Sequence, residues 1–416
     1  MPKLAVKGGD RAVTRRLGSP WPVFDEREER ALMEVLHSGI WWRGGFEDPR
    51  QSKVAQAEEA FAQYQDARFG VAVTNGTAAL ECALRAGGIE PGDEVIVPAV
   101  TFVATATAAI MCGAVPVFAD IRASDYNIDP EHVEALITPR TRAVIPVDYG
   151  GVPVDLDRLG EICRRRGLLM INDCAHSHGS EWKGRKVGAI GDMGAFSFQM
   201  GKTLTCGEGG MVLTDSEDLA RKLYSYHHIG RIPGRPFYEH HVAASNLRMT
   251  EWQAAILLTQ LERFDEQARV RDANARYLNE LLTQIPGVAP LDIDARVTRW
   301  CFYFYHFKFI EPEWDGVTRN QFLEALRAEG IPCHTGHTDP VYWNPVFQNH
   351  NFIEGGCRHH QPVTDYTKVR CPEAERVYNH EAVCLHHPIF LGGREDMEMI
   401  AGAISKIREN ADELRD

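Results

Sequence analysis

The chain lacks the features that would place it outside ordinary globular enzymes. It carries 10 cysteines in 416 residues, yet none forms a Cys-x-x-Cys pair, so no redox motif or paired zinc ligand set is written in it and reduced thiols are expected. Cys357, His359 and His360 are the one cluster that invites zinc, but no second ligand pair stands at a fixed spacing from them. A polar surface loop is the reading there, and no metal is expected. No apolar run approaches the ~20 residues of a membrane span, and the N-terminus has no apolar signal core, so a cytoplasmic protein is expected. Clustered basic residues are scarce as well. The formal net charge is -13, and Arg164-Arg165-Arg166 is the only short basic block in a helical context, read as a solvated helix face. This argues against a broad nucleic-acid surface. There is no internal repeat, low-complexity segment or long linker.

What is present is enough apolar sequence for a large core: 44% hydrophobic against 25% charged residues. A chain of 416 residues exceeds one core, which predicts a large domain over 1–264, including an N-terminal segment, and a smaller one over 265–416. Between about 70 and 215, short β-branched runs alternate with helical patterns, the signature of a mostly parallel sheet covered by helices. Strands are expected at 71–73, 94–97, 115–118, 143–146, 168–171, 195–198 and 211–213, with helices at 78–86, 103–111, 130–136 and 156–165. A capping box of Thr250 and Gln253 opens a long helix striped with Ile256, Leu257, Leu261 and Phe264. A strand at 300–309 and helices at 319–329 and 394–410 make the second domain α+β.

Parallel sheets bind ligands in the loops that leave their carboxyl ends, and four such loops carry chemistry. Thr74-Asn75-Gly76-Thr77, followed by Ala78, Ala79 and Leu80, is a glycine turn into a helix start. Free N–H groups and the Thr77 hydroxyl there suit a phosphate, and they equally suit a plain N-cap. Asn172-Asp173-Cys174-Ala175-His176 follows the apolar run 168–171. A carboxylate there either keeps a pyridine nitrogen protonated, making the ring an electron sink, or caps the next turn. In Ser197-Phe198-Gln199-Met200-Gly201-Lys202, before Gly207-Glu208-Gly209-Gly210, the hydroxyl can reach a phosphate while the amine reaches an aldehyde carbon. Desolvation between an apolar strand and a glycine-rich turn would free that amine as a nucleophile. Thr101-Phe102 places an aromatic ring at another strand end, to lie over a flat ring or to fill a core. An acid, an amine, a phosphate cradle and a flat apolar side chain in one sheet match the needs of pyridoxal 5'-phosphate (PLP).

At these residues the sequence resembles the DegT/StrS sugar aminotransferase family of fold-type I PLP enzymes, from about Trp21 to the C-terminal helix. The matching motifs are Gly-Thr-Ala-Ala-Leu at 76–80, Asp-x-Ala-His-x-x-Gly at 173–179, Ser-Phe-x-x-x-Lys at 197–202 and Gly-Glu-Gly-Gly at 207–210. The resemblance implies that Gly76, Thr77 and Ser197 bind the phosphate, that Asp173 pairs with the pyridinium and that Phe102 stacks on the ring. It further implies that Ala175 adjoins the cofactor, that His176 lies near its phenolic oxygen, and that Lys202 is Schiff-base lysine and proton shuttle. The stretch Ser245-Asn246-Leu247-Arg248-Met249-Thr250-Glu251 is similar to the one whose Asn reaches the neighbouring subunit's phosphate, so a homodimer with Asn246 acting across the interface is implied. Two positions depart from the pattern: Asp148, before Tyr149-Gly150-Gly151, stands where many members carry His, and Asn172 stands where an acid is frequent.

Within that family, Gly39-Ile40-Trp41-Trp42-Arg43 and the stretch 204–210 are similar to the ketocyclitol (scyllo-inosose) aminotransferases and the 3-amino-5-hydroxybenzoate synthases. The stretch 336–342 and Leu385-His386-His387-Pro388 resemble the cyclitol enzymes. The implied reaction moves an amino group from L-glutamine or L-glutamate to the ketone of a cyclitol or sugar. Candidate partners for such a ring are Trp42, Arg43, Asp148, Tyr149, His337, Tyr342, His386 and His387. A nucleotide-linked keto sugar is the alternative acceptor, and a non-catalytic PLP-binding protein the alternative of another class. Lys202 argues against the dehydratase relatives that carry His in its place.

Overall fold

The computed structural model describes residues 3–350, 352 and 364–415; the Cys357, His359 and His360 cluster lies outside them. Seven strands form the large sheet: β1 (Phe69–Val73), β2 (Glu94–Pro98), β3 (Val115–Ala119), β4 (Thr141–Val144), β5 (Leu169–Asp173), β6 (Met193–Ser197) and β7 (Gly210–Thr214). Their order across the sheet is β1-β7-β6-β5-β4-β2-β3. β2 to β6 pair in parallel, while β7 runs against both β6 and β1. The carboxyl ends of β1, β2, β5 and β6 therefore all open on one side.

Alternation along each strand explains why the runs read as continuously apolar. Val95, Val97, Ala143 and Ile171 enter one buried cluster, while Ile96, Val144 and Met170 enter the other. Both faces are covered, so both sets must be apolar. The covering helices are α1 (Glu26–Ser38), α2 (Lys53–Tyr64), α3 (Gly76–Ala86), α4 (Ala104–Met111), α5 (Pro130–Leu136), α6 (Leu156–Arg166), α7 (Glu217–His227) and α8 (Glu251–Leu282). Arg164, Arg165 and Arg166 lie exposed in the last turn of α6, where cations complement the helix dipole, and Arg165 and Arg166 pair with Glu134. α8 opens on the expected box, with Thr250 N–H donating to Gln253 Oε1 at 2.9 Å and Gln253 N–H to Thr250 Oγ1 at 3.4 Å.

After α8 a second sheet, β8 (Val288–Pro290), β9 (Phe304–Phe309) and β10 (Ala382–His386), is antiparallel throughout, and α9 (Arg319–Ala328) and α10 (Arg394–Glu409) complete the smaller α+β unit. The expected strand at 300–309 forms only from Phe304. Cys301 N–H donates to Ser180 Oγ at 3.0 Å and Tyr303 N–H to the Gly150 carbonyl at 3.0 Å, so 300–303 is drawn to the end of the large sheet instead. α1, α2 and α7 were not expected from the sequence. The nine described cysteines are buried free thiols. No helix of the described residues is long and apolar enough to cross a membrane.

Candidate active site

A cavity of about 760 Å³ opens at the carboxyl ends of the large sheet, within the roughly 300–1,000 Å³ typical of small-molecule sites. Gly76, Thr77, Phe102, Asp173, Ala175, His176, Ser197, Lys202 and His337 all line it. Gly76 to Lys202 converge because parallel strands deliver their following loops to one edge, and His337 reaches the same cavity from the smaller unit.

Asn75 caps α3, its Oδ1 accepting from Ala78 N–H at 2.8 Å, and the N–H groups of Gly76 and Thr77 have no acceptor among the described residues. A Cβ added at Gly76 would lie 2.6 Å from Ser197 Cβ, so only glycine lets the first turn of α3 come this close to β6. Two unpaired N–H groups, the helix dipole and the nearby Ser197 hydroxyl make a cradle for an anion.

Asp173 ends β5 and is buried, with Oδ2 accepting from Thr105 Oγ1 at 2.9 Å and Oδ1 from Ala175 N–H at 3.2 Å. Burial raises its pKa, against these hydrogen bonds and the nearby Lys202 charge. The half-buried Lys202 places Nζ 4.2 Å from the centre of the Tyr303 ring, and no salt bridge engages it among the described residues. Desolvation pushes its pKa down to about 8, with Asp173 opposing the shift, so an appreciable fraction of free amine exists near neutral pH.

His176 is buried, and Gly150 N–H donates to its Nδ1 at 3.3 Å. The acceptor nitrogen holds a lone pair, so Nε2 carries the hydrogen of a neutral ring. Burial, then the charge of Lys202, holds its pKa well below the usual histidine range. Asp148, in the position that departs from the family pattern, ties this arrangement together: Oδ1 accepts from Val154 N–H at 3.0 Å and Oδ2 from Ser177 Oγ at 2.8 Å. Burial pushes Asp148 up to about 7.

Other expected residues lie elsewhere. The Tyr342 hydroxyl is buried and donates to Glu375 Oε1 at 2.6 Å, which spends it on the core. Arg43 forms a fork on Glu58 at 2.6 and 3.0 Å, and Trp42 lies under Arg248 at the surface. Tyr149 is buried: a Cβ at Gly336 would lie 2.9 Å from its hydroxyl and 2.5 Å from His306 Nε2, so the backbone at 336 covers both. His386 packs on Phe304 and His334, and His387 bonds the Gly201 carbonyl at 2.9 Å; neither lines the cavity. Asn246 is exposed and stays outside the cavity of its own chain.

Among the lining residues that went unread in the sequence are Thr105 and Tyr303. Thr101 and Thr105 stand four apart at the start of α4, a spacing that puts both hydroxyls on one face, and they bond each other at 2.8 Å. Tyr303 has no such local signal, because its position depends on the peeled-off end of β9.

Residues 22–404 match the model of the DegT/DnrJ/EryC1/StrS aminotransferase family. A Micromonospora echinospora protein provisionally named L-glutamine:3-amino-2,3-dideoxy-scyllo-inosose aminotransferase is 39% identical over 99% of both chains. The Streptomyces fradiae L-glutamine:2-deoxy-scyllo-inosose aminotransferase is 37% identical over 98% of both. Among solved structures, 3-amino-5-hydroxybenzoic acid synthase superposes with a TM-score of 0.83 at 36% identity, covering 94% of this chain and 98% of its own. The chain belongs to the DegT/DnrJ/EryC1/StrS aminotransferase family, PLP-dependent enzymes built on this α/β fold.

Proposed function

We propose that this aminotransferase holds PLP in the cavity described and transfers an amino group from L-glutamine or L-glutamate to the ketone of a scyllo-inosose-like cyclitol. The donor set fits the cofactor: an anion cradle at Gly76, Thr77 and Ser197, a buried carboxylate at Asp173, a flat exposed ring at Phe102 and a free amine at Lys202. When bound, PLP supplies an electron sink that stabilises negative charge on the carbon losing its proton. Asp173 holds the proton on the ring nitrogen that keeps the sink deep. Lys202 carries the cofactor and, as a free amine, moves the proton at the donor's α-carbon through Nζ. His176 would offer its Nε2–H to the phenolic oxygen, and its lowered pKa keeps it from taking up the α-carbon proton itself.

The observation that favours an uncharged polyol is the charge of the cavity wall. Among the described residues, Lys202 is the only Lys or Arg lining it, and His176 and His337 are both held neutral, so one chain's wall supplies no further cation for a nucleotide diphosphate. Neutral donor–acceptor groups suit hydroxyls. The scyllo-inosose names of the relatives support the same reading, with the hydroxybenzoate synthase reaction and a nucleotide-linked keto sugar as alternatives. A half-reaction screen tests it: enzyme in the amine-loaded form is mixed with scyllo-inosose, related ketocyclitols and nucleotide-linked keto sugars, and return of the PLP spectrum is followed. Turnover with nucleotide sugars alone overturns the acceptor class. Absence of any spectral response to amino donors points to a non-catalytic binder.

The same reading takes the enzyme as a cytoplasmic homodimer, divided near 264/265, with Asn246 completing the partner's site. The exposure of Asn246 outside its own cavity supports this. Mixing inactive Lys202→Ala and Asn246→Asp chains should restore activity in about a quarter of sites, because a mixed dimer of a shared-site enzyme keeps one intact site. No recovery despite proven subunit exchange contradicts the shared site.

A further inference from the structure

The two ends of the chain meet behind the turn that carries Lys202. Lys202 N–H donates to the Gln199 carbonyl at 2.8 Å, which makes 199–202 a turn whose central carbonyls belong to Met200 and Gly201. Both are held. The Trp21 indole N–H donates to the Met200 carbonyl at 2.8 Å, and His387 Nε2 bonds the Gly201 carbonyl at 2.9 Å. A carbonyl only accepts, so His387 Nε2 carries the hydrogen of a neutral ring. Burial first, and Arg271 next, hold His387 well below the ordinary histidine pKa.

The two donors also brace each other. Their rings meet edge to face with centroids 4.6 Å apart, and the buried Arg271 of α8 sets its guanidinium 5.2 Å from the Trp21 ring. The strap that carries Trp21 is tied down on both sides. Gly18 N–H donates to Asp396 Oδ2 at 2.8 Å and Ser19 N–H to the Pro388 carbonyl at 3.1 Å, while the Val23 carbonyl accepts from Gln260 Nε2 at 2.9 Å and Arg263 at 2.7 Å. The central peptides of a turn are the ones freest to flip, and a flip next to Lys202 would redirect its side chain. An error of about 1 Å in the placement of a reacting group costs roughly 10²-fold in rate.

We propose that Trp21 and His387 are positioning residues for Lys202: by gripping the Met200 and Gly201 carbonyls, they fix the turn that aims its amine into the cavity. This rests on the reading that Lys202 holds the cofactor. The test uses the full-length chain. PLP is added to cofactor-free protein, bound covalent cofactor is trapped with borohydride at successive times, and the modified lysine is mapped by mass spectrometry. Wild type tests the underlying reading by itself, because trapping at another lysine sinks that reading and not the geometry of the turn.

With trapping at Lys202 in wild type, the variants decide the proposal. Trp21→Phe keeps a ring against His387 and Arg271 and loses only the donor. It should slow capture at Lys202 and lower kcat by about 10-fold, with KM within about 2-fold and Tm nearly unchanged, as one lost hydrogen bond to a turn predicts. His387→Phe should act similarly, and His387→Gln, which restores an N–H, should recover most of that loss. The double variant should lose little more than the worse single one, because both grip one turn. Wild-type capture rates and kcat in Trp21→Phe overturn the proposal, and this variant decides the matter even where His387→Phe does not fold.

Discussion

The two walls of the cavity are built in opposite ways. The wall assigned to the cofactor comes from strand ends: Gly76 after β1, Phe102 after β2, Asp173 on β5, and Ser197 and Lys202 on and after β6. Each stands at or just past the end of a strand in a sheet buried on both faces. The facing wall comes from segments that return from the smaller unit, His337 between α9 and β10 and Tyr303 before β9. Its polar groups sit in a cluster of aromatic and imidazole rings, with Phe304 edge-on to His337 at 5.1 Å and Phe102 tilted against it at 5.5 Å. The first wall carries the charged Asp173 and Lys202; the second is neutral. That division suits a cofactor that stays and an acceptor that comes and goes.

The strongest way to break this comparison is at the charge of the first wall. Lys202→Met should abolish transamination, a loss on the order of 10⁴-fold or more for a residue on which the whole cycle depends. The same variant should stabilise the cofactor-free chain. Burial lowers the folded-state pKa of Lys202 from 10.5 to about 8, so the folded chain binds fewer protons than the unfolded chain between those values. Below pH 8 both states are protonated and the desolvated ammonium costs up to about 3 kcal/mol, a cost that fades as pH rises toward 10.5. Urea unfolding of cofactor-free Lys202→Met and wild type should therefore differ most at neutral pH and converge in alkali. A variant less stable than wild type at pH 7 would contradict a functional cost stored at this lysine.

Asp173→Asn is the next largest. The amide oxygen can still accept from Ala175 N–H while its NH2 faces the Thr105 hydroxyl, which can turn to accept from it, so folding should change by about 1 kcal/mol or less. Without the carboxylate, the ring nitrogen loses its proton partner and kcat should fall on the order of 10²–10³-fold, the scale of removing one preorganised electrostatic partner. Stopped-flow measurement of the donor half-reaction reads this directly, and near-normal rates would remove Asp173 from the electron-sink role.

What was legible in the sequence follows the same divide. Asp173, Ser197 and Lys202 announce themselves because strand, turn and reactive residue are contiguous, and even the misplaced end of β5 moved Asp173 by only two residues, from the following loop onto the strand itself. The second wall depends on contacts between residues far apart in sequence. Tyr303 is placed by Gly150 and Ser180 drawing 300–303 away from β9, and no local pattern encodes that. Tyr342, read as a substrate residue, is held by Glu375 and by Cys371 N–H at 3.0 Å, partners some thirty residues away. α1 and α2 were missed although α1 has a capping box at Asp25 and Glu28, because they precede the first strand and pack largely on α8, outside the strand–helix alternation that guided the reading.

The smallest effect is also the sharpest test of the division. His337 lines the cavity, and burial, followed by the charges of Lys202 and of His386, lowers its pKa to about 4. It is therefore a neutral ring with one donor and one acceptor over the whole range above about pH 5, and its protonation should add no inflexion near pH 6.5 to the activity profile. His337→Phe keeps the aromatic contacts with Phe102 and Phe304 and removes only the two nitrogens. A lost hydrogen bond to an acceptor hydroxyl is worth about 1 kcal/mol, which is roughly 5- to 10-fold. Because the donor half-reaction uses the first wall, its rate should stay within about 2-fold, while the acceptor half-reaction slows by that 5- to 10-fold and its KM rises. Equal slowing of both halves would show that His337 acts on the cofactor after all, and the boundary between the two walls would have to be redrawn to include it with Phe102.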